Sequence, residues 1–505
     1  MFFVFIIGGR VYTYNEAYDR DTPSYAVLAR GMTLGKTLYV DLWEHRPPAT
    51  FWTYEFAMFV VGYGRQQMFF LGVLSATAVL LAIFFSIRRL GGNLTSAVWA
   101  AGLWAILSMY LPLQANIPNA EAFMNICSTV PFMLLLAPNW RSGAAWRVIA
   151  IGLLFTLNSF YKPITVPLTI LLAAVHTLLP PPGVPRKRAA MEVAAMVMVA
   201  ILCWGGYIAY LHHTGVWPAF WEANVDFNRV YSATWGSKFP MLMNVLRGFY
   251  VAPSGIRWSL WWLAPATLAA SAVAAFAAQP LSLRGRSMLA ALCVGSFIAM
   301  AAPGNYNAHY FQLLVPSLCI GVGLLWQCSA RRWGPLFAQG CRAAMLLVVG
   351  LLVMHTLRFF AYPISAWPAL KYGTRFEIDC VPMAARLDKL LRPDETFFEW
   401  GTEPQLYFYA GRQQPCPVLC DMVLSPLGYR GPWVPRMIKD TITALDSANV
   451  ELIVVRRRSL PLPPELAQWI RARYRLELPT GNPSFVMYAR RNGRLEAEAN
   501  HNRST

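Results

Sequence analysis

Long apolar runs separated by short polar gaps occupy the chain up to about residue 362. A helix that crosses a bilayer needs about 20 mostly apolar residues. The runs therefore predict spans at 68–87, 95–114, 122–137, 147–161, 163–180, 190–211, 257–279, 288–303, 309–327 and 343–362. Residues 1–9 are apolar but too short to cross, and we expect the true start of the chain to be missing or displaced. The pattern predicts a polytopic α-helical bundle with about 10–12 spans over residues 1–362.

Several of the gaps are basic and contain no acidic residue, notably those that hold Arg88, Arg186 and Arg284. Cytoplasmic loops carry such an excess of Lys and Arg. Parity then puts the loops at about 10–67, 115–121, 212–256 and 303–308 on the opposite face. The apolar run 49–64, ATFWTYEFAMFVVGYG, would invert this scheme if it crossed. We therefore predict a juxtamembrane or re-entrant helix there, within the first loop (residues 10–67).

The pattern changes from about residue 370, where charged residues and prolines become frequent and no run is long enough to cross. The sequence predicts strands at 396–401, 450–458 and 485–491, and helices at 380–392 and 434–447. Such alternation is typical of a small α/β domain, which we place at 370–492 on the non-cytoplasmic face. Residues 493–505 are predicted to be a disordered tail. One disulfide is possible outside the cytoplasm among Cys380, Cys416 and Cys420.

Composition agrees with a membrane protein, because 56% of the residues are hydrophobic and 13% are charged, whereas soluble domains have about 25% charged residues. The formal net charge of +18 would suggest nucleic-acid binding in a soluble protein. The basic gaps between spans account for much of this charge. We therefore predict no nucleic-acid partner.

Acidic residues in the first loop are the first candidates for chemistry. Asp19 and Asp21 precede a predicted helix in which Pro23 suits the first position, and this makes Thr22 the expected N-cap. Further along the loop, Glu44, His45 and Arg46 are adjacent, and Arg46 is held extended by the two prolines that follow. The simpler interpretation is that the two aspartates only complement the helix end.

Polar residues also interrupt apolar sequence at three other places on the same predicted face. They are Glu121 in NIPNAEAF, Lys162 in NSFYKPIT, and His309 with Tyr310 in NYNAHYFQLLVP. An ionisable residue at membrane depth is costly, which favours a functional role, although Lys162 could snorkel and His309 could form an interfacial hydrogen bond. The aromatic loop 212–239, which includes Asn228, could stack on sugar rings. Metal-ligand spacing is not visible, and we expect neither a metal nor a cofactor.

The stretch DRDTPSYAVLARGMTLGKTLYVDLWEHRPPATFW resembles the first-loop motif of the bacterial relatives of protein O-mannosyltransferases and of the lipid A aminoarabinose transferase. These belong to the C-type superfamily of polyprenyl-phosphate-sugar-dependent glycosyltransferases. Asp21 falls on the catalytic aspartate of that motif, and Tyr25 matches the helix that follows. Thr22 stands in place of the usual glutamate, and Arg46 in place of the usual lysine. Glu121, the segment HYFQLLVP and the α/β tail resemble later parts of the family pattern.

The resemblance implies transfer of a sugar from a polyprenyl phosphate to an acceptor hydroxyl on the periplasmic face of a bacterial inner membrane. It implies Asp21 as the base, with Asp19 and Glu121 as further candidates, and Arg46, Lys162 and His309 as ligands of the lipid phosphate. Weaker candidates for the sugar and acceptor are Tyr25, Glu44, His45, Tyr310 and Asn228. Expected partners are the lipid-linked sugar, membrane lipids, and a glycan, lipid or protein acceptor.

Two other functions remain open from the sequence. A transporter or flippase of lipid-linked sugar would use the same charges as gates, and it predicts internal repeats and broken helices at the bilayer midplane. A non-catalytic protein of envelope-glycan assembly would bind the donor without turnover. The threonine at position 22 keeps the second alternative open.

Overall fold

The computed structural model describes residues 1–235, 241–249, 262–278, 281–328, 330–372 and 376–504. Apolar helices make up most of the chain as far as residue 372, and a small α/β domain follows. The helices of the first part are α1 (Phe2–Tyr12), α2 (Asp21–Thr33), α3 (Ala49–Val61), α4 (Arg65–Arg89), α5 (Leu94–Leu107), α6 (Ala120–Leu135), α7 (Ala144–Tyr161), α8 (Val166–Leu178), α9 (Arg186–His213), α10 (Trp217–Trp221), α11 (Phe227–Trp235), α12 (Met241–Arg247), α13 (Leu263–Ala277), α14 (Leu283–Ala301), α15 (Val315–Leu325), α16 (Ala330–Trp333), α17 (Pro335–Leu357) and α18 (Trp367–Tyr372).

The predicted helical bundle is confirmed, and the chain is a multi-pass membrane protein. Six of the described helical segments are long and apolar enough to cross a bilayer: α4, α7, α9, α14, Ala308–Leu325 and Pro335–Ala361. The shorter apolar helices are α1, α5, α6, Pro163–Leu178 and α13. Each predicted span therefore coincides with an apolar helix. Parts of the predicted span 257–279 and of the loop 212–239 lie outside the described residues.

Small residues let neighbouring helices of the bundle pack closely. A Cβ added to Gly295 of α14 would lie 2.6 Å from the Cα of Leu168 in α8, so only glycine fits there. Gly323 of α15 lies equally close to α5, because a Cβ there would be 2.7 Å from the Cβ of Ala100. Close backbone approach of this kind is a common way to pack helices in membranes, where the lipid removes much of the hydrophobic driving force.

The sequence did not fix the membrane placement of two helices, α1 and α3, and both pack against other helices of the bundle. α1 packs against α4 and α5, although its 11 residues are too few to cross a bilayer. α3 forms over the run that we predicted to be an interfacial helix, and it packs against α2, α4 and α7. Phe56 and Phe59 of α3 are exposed. Its placement at the interface stays a prediction.

The C-terminal domain contains a four-stranded sheet of β1 (Thr396–Trp400), β2 (Val450–Arg456), β3 (Tyr474–Leu478) and β4 (Phe485–Arg490) in the order β1-β2-β4-β3. β1 and β2 are parallel, whereas β4 is antiparallel to both of its neighbours. The helices of the domain are α19 (Phe376–Leu390), α20 (Gln405–Ala410), α21 (Asp421–Leu424), α22 (Val434–Ser447), α23 (Pro464–Arg473) and α24 (Arg494–Ser504). The predicted strands and helices are present, and β3 was missed because its short segment YRLEL alternates with charged residues.

Two expectations for this domain differ from the structure. The tail at 493–505, predicted to be disordered, forms α24 as far as Ser504. Ion pairs hold it in place, because Arg494 Nη2 lies 2.6 Å from Glu395 Oε2 and Arg475 Nε lies 2.5 Å from Glu496 Oε1. The cysteines at 380, 416 and 420 carry thiols and are not joined by a disulfide in the described part of the chain.

Candidate active site

A cavity of about 650 Å³ lies between the helical part and the C-terminal domain. The first loop forms one wall with the start of α2 and the segment around Glu44 to Arg46. α11 and the segment 305–310 form the sides, and residues 402–405 and 419–429 of the C-terminal domain close the cavity opposite the first loop. Segments far apart in sequence therefore meet around one space of the size that ligand pockets commonly have.

The two aspartates of the first loop have different roles at the cavity. α2 begins at Asp21 with Arg20 as its N-cap, so the prediction of Thr22 as the N-cap was wrong. The helix starts earlier because Asp19 Oδ1 accepts hydrogen bonds from the backbone N–H of Thr22 at 3.4 Å and from its hydroxyl at 3.3 Å. Asp19 thus satisfies a donor at the helix end. The carboxylate of Asp21 lines the cavity.

Arg46 places a guanidinium between two carboxylates. Its Nη1 donates to Glu44 Oε1 at 3.0 Å, and its Nη2 lies 3.8 Å from Asp21 Oδ1. The guanidinium carbon also lies 5.1 Å from the centre of the Tyr25 ring. Tyr25 is buried and donates its hydroxyl hydrogen to Asn119 Oδ1 at 3.2 Å, so the ring is held in place under the cation. This arrangement fixes the planar fork of Arg46 at the edge of the cavity.

The cations around Asp21 and Glu44 keep both of these carboxyls ionised. Burial raises the pKa of Asp21, but Arg46, His309, Arg20 and Lys162 outweigh it and leave that pKa below the ordinary value. Burial likewise raises the pKa of Glu44, and Arg46 together with His45 lowers it to about 2. Both groups are therefore carboxylates at neutral pH.

Glu121 and Lys162 form a buried ion pair next to the cavity rather than on its lining. The ammonium of Lys162 binds Glu121 Oε1 and lies 4.4 Å from the centre of the Tyr310 ring. Glu121 Oε2 has no hydrogen-bond partner among the residues that the structure describes. Since Tyr310 and His309 do line the cavity, this pair contacts the cavity wall through Tyr310.

The remaining predicted residues lie at or close to the same space. His45 lines the cavity and its Nδ1 lies 2.7 Å from Glu44 Oε1. Asn228 of α11 does not line the cavity, but its Nδ2 donates to the carbonyl of His45 at 2.8 Å and so joins α11 to the first loop. Of the predicted residues, the structure brings seven to the lining, which are Asp19, Asp21, Glu44, His45, Arg46, His309 and Tyr310.

Sequence reasoning missed part of the lining. Arg20, Phe227, Tyr231 and Tyr429 all face the cavity, and so do Thr402, Glu403 and Arg456 of the C-terminal domain. The position of Arg20 between Asp19 and Asp21 was a usable signal, since a cation between two candidate carboxylates lies at the same site. No signal identified the residues of the C-terminal domain, because local patterns do not reveal which surface of a domain faces its neighbour.

Metal-binding potential can be judged from the side chains alone. In the described ranges, no group of three or more His, Cys, Asp or Glu side chains is arranged to hold a metal ion. The polar groups that face the cavity are instead a mixture of carboxylates, guanidinium groups and aromatic hydroxyls. Such a mixture suits a ligand that carries both an anion and hydroxyl groups.

The chain is similar to known proteins in structure, although sequence comparisons give no match. No protein-family model matches the chain, and no curated protein matches it. The crystal structure of ArnT from Cupriavidus metallidurans in the apo state is similar, with a TM-score of 0.62 and 12% sequence identity over 96% of this chain and 97% of that one. The same protein bound to undecaprenyl phosphate gives a TM-score of 0.59, also at 12% identity, over the same shares of the two chains.

The chain has the same fold as ArnT. This confirms the fold that the first-loop motif implied. At 12% identity the likeness shows the fold alone. An oligosaccharyltransferase from Archaeoglobus fulgidus is also similar, at 12% identity over 90% of this chain and 68% of that one, but its TM-score of 0.47 is too low to support an inference.

Proposed function

We propose that the protein is a membrane glycosyltransferase that moves a sugar from a polyprenyl phosphate to an acceptor hydroxyl. The observation that carries the proposal is the pairing of Asp21 with Arg46 at the wall of the cavity, where the two side chains lie 3.8 Å apart. A carboxylate beside a guanidinium supplies a proton acceptor and an anion ligand at one place. The C-type fold supports this reaction class.

The donor phosphate is proposed to bind at the Arg46 side of Asp21. Arg46 offers a bidentate fork, and His309 lines the cavity close enough to affect the Asp21 carboxylate electrostatically. Lys162 adds positive charge from behind Tyr310. ArnT of the same fold has been crystallised with undecaprenyl phosphate, and this supports a lipid phosphate as the ligand here.

In the proposed reaction, the acceptor oxygen attacks the anomeric carbon of the donor and the carbon–oxygen bond to the phosphate breaks. The electron pair of that bond leaves with the lipid phosphate, while Asp21 takes the proton of the acceptor hydroxyl. Arg46 stabilises the charge that grows on the departing phosphate. The lowered pKa of Asp21 keeps the carboxylate ionised and able to accept the proton.

We further propose that the cavity faces the periplasm, with the protein in a bacterial inner membrane. The support is the position of the basic gaps, such as those with Arg88 and Arg284, on the side opposite the first loop in the predicted topology. Cysteine labelling of Asp41→Cys, an exposed position of the first loop, tests this with a membrane-impermeant reagent in intact spheroplasts. Labelling is expected there, and protection until the membrane is opened would contradict the proposed topology.

The transporter alternative has less support, because the candidate charged groups lie at helix ends and in loops. The non-catalytic alternative rested on the threonine at position 22, yet Thr22 bonds to Asp19 and leaves Asp21 facing the cavity. An assay of purified protein in detergent distinguishes these functions. No membrane divides two compartments in detergent, so only an enzyme consumes the lipid-linked sugar.

The deciding experiment compares cell-envelope glycans by mass spectrometry in a deletion strain that carries wild-type or variant protein. Asp21→Asn should lower the modified glycan about 100-fold or more, because it removes the base. Asp41→Asn is the matched control, since Asp41 lies in the same loop, is exposed and accepts a hydrogen bond from the Thr37 N–H at 2.8 Å. Full modification by the Asp21→Asn protein at wild-type abundance would remove the assignment of Asp21.

A further inference from the structure

Three arginines from three helices meet at the C-terminal end of α6. Arg89 of α4 donates from Nη1 to the carbonyl of Met133 at 2.5 Å, and Arg284 of α14 donates from Nη2 to the carbonyl of the last α6 residue at 2.8 Å. Arg147 of α7 donates from Nη1 to the carbonyl of Asn139 at 2.9 Å, in the turn that follows α6. The last carbonyls of a helix attract cations because they carry partial negative charge.

The helix end does not balance this charge. A helix C-terminus carries about half of a negative charge, against three guanidinium groups that each carry a full positive charge. Glu192, at the start of α9, lies 2.9 Å from His176 Nε2 and accepts a hydrogen bond from Arg188 Nε at 3.3 Å. Among the described residues, neither Arg89 nor Arg147 forms an ion pair with a carboxylate. This end of the bundle therefore has an excess of positive charge that an external anion can neutralise.

Arg89 and Arg147 are placed to bind that anion together. Each guanidinium carries five N–H groups, and within the described ranges only Nη1 of each donates a hydrogen bond. Both side chains are partly exposed, and they are close enough to act electrostatically on each other. The guanidinium carbon of Arg147 also lies 5.4 Å from the centre of the Trp146 ring. Two neighbouring guanidinium groups with unused donors suit a phosphate.

An apolar surface continues from these arginines along the bundle. α6 packs against both α4 and α7, and all three helices carry apolar side chains that are exposed or partly buried. They are Leu81 and Phe85 of α4, Val130 and Met133 of α6, and Ile149 and Leu153 of α7. Arg89 follows Phe85 at the same four-residue spacing that separates Phe85 from Leu81, so the cation lies at the end of one apolar face of α4. Acyl chains can therefore lie on this surface while a headgroup reaches the arginines.

The surface is far from the cavity. α4 begins at Arg65, whose guanidinium donates to the carbonyl of Glu16 in the first loop at 2.7 Å. The 25 residues of α4 span about 37 Å, so Arg89 lies at the opposite end of the bundle. In the proposed topology this end is at the cytoplasmic leaflet, where anionic lipids attract clusters of Lys and Arg.

We propose that the end of α6 binds an anionic phospholipid, with the phosphate between Arg89 and Arg147 and the acyl chains along α4, α6 and α7. A zwitterionic lipid also has a phosphate, but its ammonium group would meet further cations of this end, such as Arg284. The bound lipid joins three helices and raises the stability of the folded protein. The site is independent of Asp21 and of the proposed reaction.

Native mass spectrometry of the full protein in detergent measures this binding. The probes are dioleoyl phosphatidylglycerol, dioleoyl phosphatidylcholine and glycerophosphoglycerol. They are an anionic lipid, a zwitterionic lipid with the same chains, and the anionic headgroup without chains. We expect phosphatidylglycerol to bind wild-type protein about tenfold or more tightly than either of the other probes, because the two cations and the apolar surface both contribute.

Variants then locate the phosphate. Arg89→Gln combined with Arg147→Gln should remove the preference for phosphatidylglycerol over phosphatidylcholine. Arg89→Lys combined with Arg147→Lys should retain part of it, since the charge remains but the fork is lost. Arg186→Gln combined with Lys187→Gln is the matched control, because it removes two exposed positive charges at the start of α9 and should leave the preference unchanged. Size-exclusion chromatography and thermal unfolding show whether each variant is folded.

Equal affinity of wild-type protein for the two lipids would overturn the proposal, and this result does not depend on whether any variant folds. Binding of the free headgroup as tightly as the intact lipid would also overturn it, and so would a preference that survives in the folded glutamine variant of Arg89 and Arg147. An equal loss of preference in the α9 control would show that the net charge of this end, rather than the two arginines, attracts the lipid. None of these results bears on Asp21 or Arg46, because the cavity lies at the other end of the bundle.

Discussion

Arg46 contacts several charged and aromatic groups of the candidate site. It contacts Glu44 and Asp21 and stacks over Tyr25, and its backbone carbonyl accepts a hydrogen bond from the Tyr39 hydroxyl at 3.1 Å. The prolines at 47 and 48 fix the backbone that follows. The side chain is therefore held by contacts on several sides, and a lysine in its place would keep the charge but not this geometry.

Substitution of Arg46 should weaken binding of undecaprenyl phosphate in graded steps. Arg46→Lys is expected to lower the affinity about tenfold, and Arg46→Gln about 100-fold, because charge-assisted hydrogen bonds to phosphate are lost first in part and then entirely. Thermal-shift titration with the lipid phosphate measures both. Arg229→Gln, exposed and outside the cavity lining, serves as the control. Equal affinity in all four proteins would show that Arg46 does not bind the phosphate.

Glu44 should make the stability of the protein depend on pH. Its pKa is about 2 in the folded protein against an ordinary value of 4.5, which corresponds to about 3 kcal/mol of stabilisation. Because the folded-state pKa is lowered, this stabilisation is present above about pH 4.5 and is lost as the pH falls toward 2.

The variant Glu44→Gln should consequently unfold more easily than wild type at pH 7, and the difference should narrow between pH 5 and pH 3, where the unfolded chain takes up the proton. Unfolding followed by tryptophan fluorescence at several pH values measures this. A difference that stays constant over that range would show that Glu44 contributes through packing rather than charge.

At the scale of elements, the start of α2 and the C-terminal helix α24 differ from what the sequence predicted. The helix after the first aspartates was predicted correctly, but it begins at Asp21 because the Asp19 side chain, rather than Thr22, binds the first turn. Pro23 suits the first turn of a helix that begins at either position. The sequence around it therefore did not show which residue would cap the helix. α24 was missed because its sequence lacks an apolar stripe and is held by ion pairs with Glu395 and Arg475.

Arg494 should anchor α24 to the C-terminal domain. Its guanidinium donates to Glu395 Oε1 at 2.9 Å and to the carbonyl of Leu390 at 2.7 Å. Arg494→Ala is expected to lower the free energy of unfolding by about 1–2 kcal/mol and to speed proteolysis after residue 492. Arg471→Ala, at an exposed position of α23, is the control and should change neither. Resistance of the Arg494→Ala tail to protease would contradict the anchoring role.

At the scale of the whole molecule, the cavity exists because the C-terminal domain is docked on the first loop. Lys371 of α18 forms a buried ion pair with Glu16, and Asn116 Nδ2 donates to the other carboxylate oxygen of Glu16 at 2.6 Å. The backbone N–H of Trp43 donates to the carbonyl of Pro417 at 3.0 Å, and that of Tyr18 donates to the Tyr409 hydroxyl at 2.8 Å. The bonds of Trp43 and Tyr18 join the first loop directly to the C-terminal domain, whereas the contacts of Glu16 tie that loop to the helical part.

The buried ion pair of Lys371 and Glu16 should be sensitive to removal of one partner. Lys371→Met is expected to lower the free energy of unfolding by about 3–5 kcal/mol, because the carboxylate of Glu16 is left buried without its cation. The double variant Glu16→Gln and Lys371→Met should recover much of this loss. Thermal unfolding of the single and double variants checks both values, and a double variant that is less stable than Lys371→Met would show that the charge of Glu16 is not the cause.

The sequence by itself determined the spans, the α/β character of the C-terminal domain and the grouping of Asp21, Glu44, His45 and Arg46 in one loop. Bilayer thickness and backbone hydrogen bonding fix the length of an apolar run, and the loop residues are close together along the chain. Tertiary structure decided that Glu121 pairs with Lys162, that Arg20 lines the same cavity as residues of the C-terminal domain, and that Tyr429 closes that cavity. These contacts depend on how separate elements pack, and no local periodicity encodes that packing.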